Sequence, residues 1–232
     1  MVSLAYVETD IDLPIISFSE CGNLLQSTTP YYSILRSEPS EEMIMKTAKG
    51  AKEDLKSLIL KLVKSPEIRG LVENRLKEFK SMKNKSSREW FIELCFCILT
   101  ANSSAEAGLR AQSAIGLGFL FLPKEDLERE IRQAGCRFYR RKTEYILQAR
   151  AFADVLKQKI LSFDDERSAR EWLVATFKGI GYKEASHFLR NVGYDNVAIL
   201  DRHILSILKE YSIISEIPRM LTRSRYLDLE NK

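Results

Sequence analysis

The chain has 232 residues, 36 Lys and Arg against 32 Asp and Glu, and a formal net charge of +4. With 45% hydrophobic and 29% charged residues it can bury one or two cores and reads as a soluble protein. No run of 18 apolar residues and no charged-then-apolar N-terminus occurs, so neither a spanning helix nor a signal peptide is predicted, and the expected location is the cytoplasm.

From residue 50 onward apolar residues recur at helical spacing. Leu55-Leu58-Ile59-Leu62, Leu71-Leu76-Phe79 and Trp90-Leu94-Cys97-Ile98 predict three helices, and Tyr145-Ile146-Ala149-Phe152 a fourth. Leu173-Val174-Phe177, Ala185-Phe188-Leu189 and Ile204-Ile207-Leu208 predict three more, so the fold class is all-α. Cysteines stand at 21, 95, 97 and 136 with no Cys-x2-Cys pair, which argues against an iron–sulfur cluster. Only His187 and His203 are present, so a zinc site is poorly supported and no metal or other cofactor is expected. Cys95 and Cys97 read as small core hydrophobes in a reducing compartment.

A net charge of +4 leaves nucleic-acid affinity to local clusters. Lys77, Lys80, Lys83 and Lys85 follow an amphipathic helix and read as a solvated face. Arg137, Arg140, Arg141 and Lys142 crowd around Phe138 and Tyr139. That mixture suits a backbone contact beside a stacked base, and equally a solvated loop with two core aromatics.

The segment Phe177-Lys178-Gly179-Ile180-Gly181-Tyr182-Lys183-Glu184-Ala185 carries the chemistry. Gly179 and Gly181 can adopt positive φ without steric cost, so the Gly-Ile-Gly turn can offer backbone N–H groups to a phosphate at the mouth of the next helix. Lys183 falls in the first turn of that helix, where the helix dipole and partial burial both disfavour an ammonium and so favour a neutral, nucleophilic amine. Each feature alone has a plainer reading. Most lysines are solvated, Gly-x-Gly turns connect helices in many folds, and Asp201 could be an N-cap before the run His203 to Tyr211.

Together, the hairpin, Lys183 and Asp201 in Ala198-Ile199-Leu200-Asp201-Arg202-His203 resemble the helix-hairpin-helix DNA glycosylases of the endonuclease III superfamily. The runs Trp90 to Asn102, Arg137 to Lys142 and Lys183 to Gly193 look like the mainly archaeal, second type of 8-oxoguanine DNA glycosylase/AP lyase. The similarity extends from about Leu55 to Leu229. The resemblance implies two helical lobes with a DNA-binding cleft between them, and Lys183 and Asp201 meeting at its mouth. It implies that the damaged base is flipped out of duplex DNA while the amides of Gly179, Ile180 and Gly181 grip the flanking backbone. Lys183 then attacks C1′, a Schiff base forms, and β-elimination cleaves the abasic site, with ionised Asp201 stabilising the developing positive charge.

The resemblance also assigns Asn102 to the gap left by the extruded base, although an asparagine is as readily a helix cap. Arg140 and Arg141 are expected on the DNA backbone. His187, one turn beyond Lys183, either orients the site or is a satisfied core histidine. The implied partner is double-stranded DNA carrying oxidised guanine or abasic sites, met by a monomer in the cytoplasm at the nucleoid, with no membrane and no resident metal beyond a weakly held monovalent cation at the hairpin.

Two departures from the family pattern are expected. Residues 1–46 have no counterpart in the family and read as an N-terminal extension of unknown role, with 47–232 as the glycosylase domain. At the other end the family continues beyond Lys232 to a short segment that completes the base pocket, so lesion specificity is an open expectation. The alternatives are a glycosylase/lyase for another oxidised base and a non-catalytic helix-hairpin-helix module that only grips DNA.

Overall fold

A computed structural model describes residues 54–232. The expected extension, residues 1–46, and Cys21 lie outside the described residues. Among the described residues the chain is helical and has no strand: α1 (Leu55–Lys64), α2 (Pro66–Ser81), α3 (Ser87–Thr100), α4 (Ala105–Ile115), α5 (Lys124–Gln133), α6 (Tyr139–Ala149), α7 (Leu156–Leu161), α8 (Glu166–Thr176), α9 (Tyr182–Asn191), α10 (Arg202–Glu210) and α11 (Arg223–Glu230), with short 3-10 turns between some of them. The predicted helices are all present. Phe152, expected to extend the helix from Tyr145, instead closes a 3-10 turn after α6, and Leu71 points largely to solvent.

Local chemistry sets the helix starts. Ser86 and Glu89 form a capping box at α3: Ser86 N–H donates to Glu89 Oε2 at 2.8 Å and Glu89 N–H to Ser86 Oγ at 3.3 Å. Asp54, Ser104 and Asp165 accept in the same way at α1, α4 and α8. Gly193 ends α9 in a left-handed turn (φ 96°), with Tyr194 N–H on Leu189 O and Gly193 N–H on Arg190 O. A Cβ there would lie 2.9 Å from Phe79 O, so the α9 terminus and α2 approach at a distance only glycine allows.

Helix α3 is buried from Trp90 to Thr100 except at Ile92 and Glu93, and so wide an apolar surface has to be surrounded. It packs against α4, α6, α7 and α9. Trp90 sits edge-on to Phe188 of α9 at 6.2 Å and donates its indole N–H to Met82 O at 2.7 Å. Each fully buried Trp, Phe or Leu of this core contributes about 1.5–3 kcal/mol by leaving water. A second, smaller apolar cluster forms around Leu205, Leu208 and Ile214, with Leu221 and Leu229 against it, where α10 and α11 meet. The segment carrying Asp201 runs between these two cores.

No helix among the described residues is long and apolar enough to cross a membrane. Nor do the described residues contain a group of three or more His, Cys, Asp or Glu able to hold a metal ion. Cys95, Cys97 and Cys136 are buried and carry no disulfide, and burial pushes the Cys95 thiol well above its ordinary pKa.

Candidate active site

The hairpin between α8 and α9 is anchored from below. Phe177 ends α8 in an extended conformation and packs on Trp172 and Phe152 at 5.4 and 5.1 Å. Ile180, between the two glycines, is 5% exposed and plugs the turn into the main core. Only one of the glycines uses the left-handed region. Gly179 stands at φ 85°, whereas Gly181 is extended (φ −95°, ψ −173°) because it serves as the N-cap of α9. The expectation that both glycines supply positive φ is corrected accordingly.

Glu184 closes this cap by accepting from Gly181 N–H at 3.3 Å, and Ile180 N–H donates to Phe177 O at 3.3 Å, so two of the three amides expected to grip the DNA backbone are taken. The next two amides, of Tyr182 and Lys183, occupy the first positions of α9, have no residue four back in the helix to bond to, and donate to nothing among the described residues. They and the exposed Lys178 present free donors and positive charge on one side of the turn, an arrangement suited to an anion. Lys183 itself is partly open: its side chain is 32% exposed and Nζ lies 3.3 Å from Glu184 Oε1. The helix dipole would favour a cation at the other end of α9. The fold places an ammonium and a carboxylate side by side at this mouth instead.

Asp201 is the N-cap of α10, and its Oδ1 accepts from His203 N–H and Ile204 N–H, both at 2.9 Å. The plain cap reading therefore holds, and it leaves room for a second role. Oδ2 takes no hydrogen bond from the described residues, so half of a half-buried carboxylate stays available.

Asn102 adopts φ 55° just past α3, whose last residue is Thr100 and whose C-cap is Ala101. It ends α3 through its backbone conformation and does not cap the next helix, a task that falls to Ser104. Its side chain is exposed. Phe138 repeats this geometry at the start of α6, with φ 57° and an exposed ring. Ser103 ties the two turns together, since its Oγ accepts from Arg137 N–H at 2.9 Å.

The basic cluster at this turn divides. Arg137, Arg140 and Arg141 are exposed, and Arg140 lies 3.4 Å from Glu128. Lys142, expected beside them at the surface, is 4% exposed and turns inward, because Nζ donates to Leu99 O at 2.7 Å and Ser103 Oγ at 2.8 Å. Burial lowers its pKa from 10.5 to about 8. Lys77 and Lys80 lie on the solvated face of α2, as read from the sequence, and Lys85 pairs with Glu89. His187 is buried and edge-on to Phe96 at 5.7 Å, so it belongs to the packing between α3 and α9.

Sequence reasoning missed Arg170, Tyr226 and Glu230, which lie fully or almost fully buried behind the hairpin and the Asp201 segment. The available signal was a charged residue at a core position of the α8 pattern, directly after Ala169 and three before Leu173. Glu184 was quoted in the motif without its role as hairpin cap.

A family model described as 8-oxoguanine DNA glycosylase matches residues 72–232. The chain belongs to this family. A relative from Methanocaldococcus jannaschii, named 8-oxoguanine DNA glycosylase/AP lyase, is 58% identical over 169 residues, covering 73% of this chain and 81% of its own. One of the same name from Korarchaeum cryptofilum is 46% identical over 179 residues, covering 77% and 84%. The crystal structure of the Methanocaldococcus jannaschii glycosylase/lyase in complex with a 15mer DNA containing 8-oxoguanine superposes with a TM-score of 0.72 at 57% identity, over 75% of this chain and 84% of that one. The Thermotoga maritima 8-oxoguanine DNA glycosylase gives 0.70 at 43% identity, over 75% and 84%.

Proposed function

We propose that this chain excises 8-oxoguanine from duplex DNA and cleaves the abasic site it creates, with Lys183 as nucleophile. The observation that carries the reading is the partly exposed Lys183 amine in the first turn of α9, beside two hairpin amides that donate to nothing among the described residues. A phosphate of the damaged strand docks on the Tyr182 and Lys183 N–H groups, which sets the register of the sugar against the amine. Asn102 and the Arg137 to Arg141 turn face the duplex, and Arg140 and Arg141 contact its backbone.

The reaction needs no metal. Neutral Lys183 attacks C1′ of the flipped nucleotide, and the glycosidic bond breaks with its electrons leaving on the base, which takes up a proton. The C1′–O4′ bond then breaks with its electrons on O4′, which takes up a proton, and the nitrogen lone pair forms a protonated imine between C1′ and Nζ. That imine acidifies C2′, a C2′ proton is lost, and the C3′–O bond breaks to release the 3′ phosphate. Hydrolysis of the imine returns the lysine. Asp201, with Oδ1 fixed by two backbone amides, turns its other oxygen toward the positive charge that develops on the sugar. The protein works as a monomer on nucleoid DNA in the cytoplasm, and residues 47–232 constitute its glycosylase domain.

The test is borohydride trapping on duplexes carrying one 8-oxoguanine or one abasic site, with wild type and Lys183→Gln. A covalent adduct on both duplexes that vanishes in Lys183→Gln is expected. Adduct on the abasic duplex alone would keep the lyase and discard 8-oxoguanine as substrate, and equal adduct in Lys183→Gln would discard Lys183.

A further inference from the structure

We propose that Tyr226 and Glu230 of α11 are positioning residues for Asp201, and that Ser186 joins them to the helix carrying Lys183. This rests on the reading of Lys183 and Asp201 given above. Residues 197–201 belong to no helix or strand, yet Val197 and Leu200 are buried, so the backbone polar groups between them need partners other than water. Helix α11 supplies them with two side chains. Glu230 Oε1 accepts from Ala198 N–H at 2.8 Å. The Tyr226 hydroxyl donates to Ala198 O at 2.6 Å and accepts from Leu200 N–H at 3.2 Å. The next residue is Asp201, whose own N–H turns back to Ile199 O. The direction in which Asp201 leaves this segment is thereby set from α11.

The same two side chains reach α9. Ser186, one turn after Lys183, lies 3.4 Å from the Tyr226 hydroxyl and accepts from Arg170 Nη1 at 3.2 Å. Arg170 holds Glu230 with two parallel bonds of 2.5 and 2.7 Å. Burial opposes the charge on Arg170, but Glu230 outweighs it, and the guanidinium pKa lies above its ordinary value. Burial likewise pushes the Tyr226 phenol up to about 12, which keeps the hydroxyl a donor throughout the working range. Packing alone does not call for these polar atoms. The Tyr226 ring already fills the space between the Arg170 guanidinium, 5.4 Å from its centre, and the Tyr182 ring at 5.5 Å. A phenylalanine would serve there, whereas the hydroxyl is spent on the Asp201 segment.

The test compares single-turnover base excision, duplex affinity and melting temperature for Tyr226→Phe, Glu230→Gln, Asp201→Asn, Lys183→Gln and the Tyr226→Phe/Asp201→Asn pair. Tyr226→Phe is expected to slow excision roughly tenfold or more, because small displacements of a reacting group are costly, while duplex affinity stays at the wild-type value. In the Asp201→Asn background the same change is expected to cost nothing further, since the group being positioned is gone. A purely structural role would lower the melting temperature alike in both backgrounds and leave the rate of folded protein untouched. Glu230→Gln carries the test if Tyr226→Phe does not fold. Wild-type rates in both variants, or a Tyr226→Phe loss that multiplies in full onto Asp201→Asn, would overturn the inference while a dead Lys183→Gln keeps the reading of the site. An active Lys183→Gln would overturn both.

Discussion

Gly179 stands at φ 85°, and a Cβ there would lie 2.5 Å from Tyr145 Cδ2. Gly179→Ala meets backbone strain and a ring that has to move, so it should destabilise the protein by about 1–3 kcal/mol and loosen the phosphate grip. Urea unfolding together with duplex titration checks both effects. Asp201 separates two roles at one position. Asp201→Asn keeps a good N-cap and should lose excision with little change in stability, whereas Asp201→Ala should lose excision and about 1 kcal/mol of stability as well. If Asp201→Asn excised at the wild-type rate, Asp201 would be a cap and nothing more. These residue-level roles differ in how visible they were beforehand. The two glycines and the lysine were legible because they stand close together in the chain, and the more distant Asp201 joined them through the family resemblance. That Gly181 is extended was not, because it follows from the side chain of Glu184 reaching back three residues to close the cap.

Between elements, the clearest reversal is Lys142. In the sequence it ends a basic run, but α6 rotates it onto the C-terminal carbonyls of α3, where its charge meets the negative end of that helix. Its folded pKa of about 8 lies below its ordinary 10.5, so between these values the unfolded chain holds a proton that the folded chain does not. The cost of burying the charge is therefore fully present below pH 8 and is relieved as pH rises toward 10.5. Lys142→Met should destabilise the protein near pH 7 by about 1–3 kcal/mol, because Leu99 O and Ser103 Oγ lose their donor. The stability advantage of wild type over this variant should also grow with pH across that window, as measured by urea unfolding at a series of pH values. A pH-independent difference would place the ammonium in solvent. Helix periodicity could not have given this result, since it ranks Lys142 with its charged neighbours while the packing angle between α3 and α6 decides which way it faces.

For the whole molecule, a net charge of +4 is too small to hold a duplex by itself, so the distribution of charge matters. Exposed Arg140 and Arg141 project from the first turn of α6, while Lys77 lies on α2. Arg140→Ala and Arg141→Ala should each reduce the slope of log affinity against log salt by about one, with Lys77→Ala leaving it unchanged. Fluorescence anisotropy over a salt series reads this directly, and an equal effect from Lys77→Ala would move the interface to α2. The helical class and the hairpin turn were legible in the chain alone, since they rest on hydrophobic period and on the conformational freedom of glycine at Gly179, while Lys183 and Asp201 were named as a pair through the family resemblance. Long-range packing settled which of two neighbouring cations is buried, that His187 belongs to the core, and that Arg170, Tyr226 and Glu230 back the Asp201 segment. Those outcomes depend on side chains far apart in the chain, such as Arg170 and Glu230 at 60 residues, meeting in a low-dielectric interior where each polar group must find its partner.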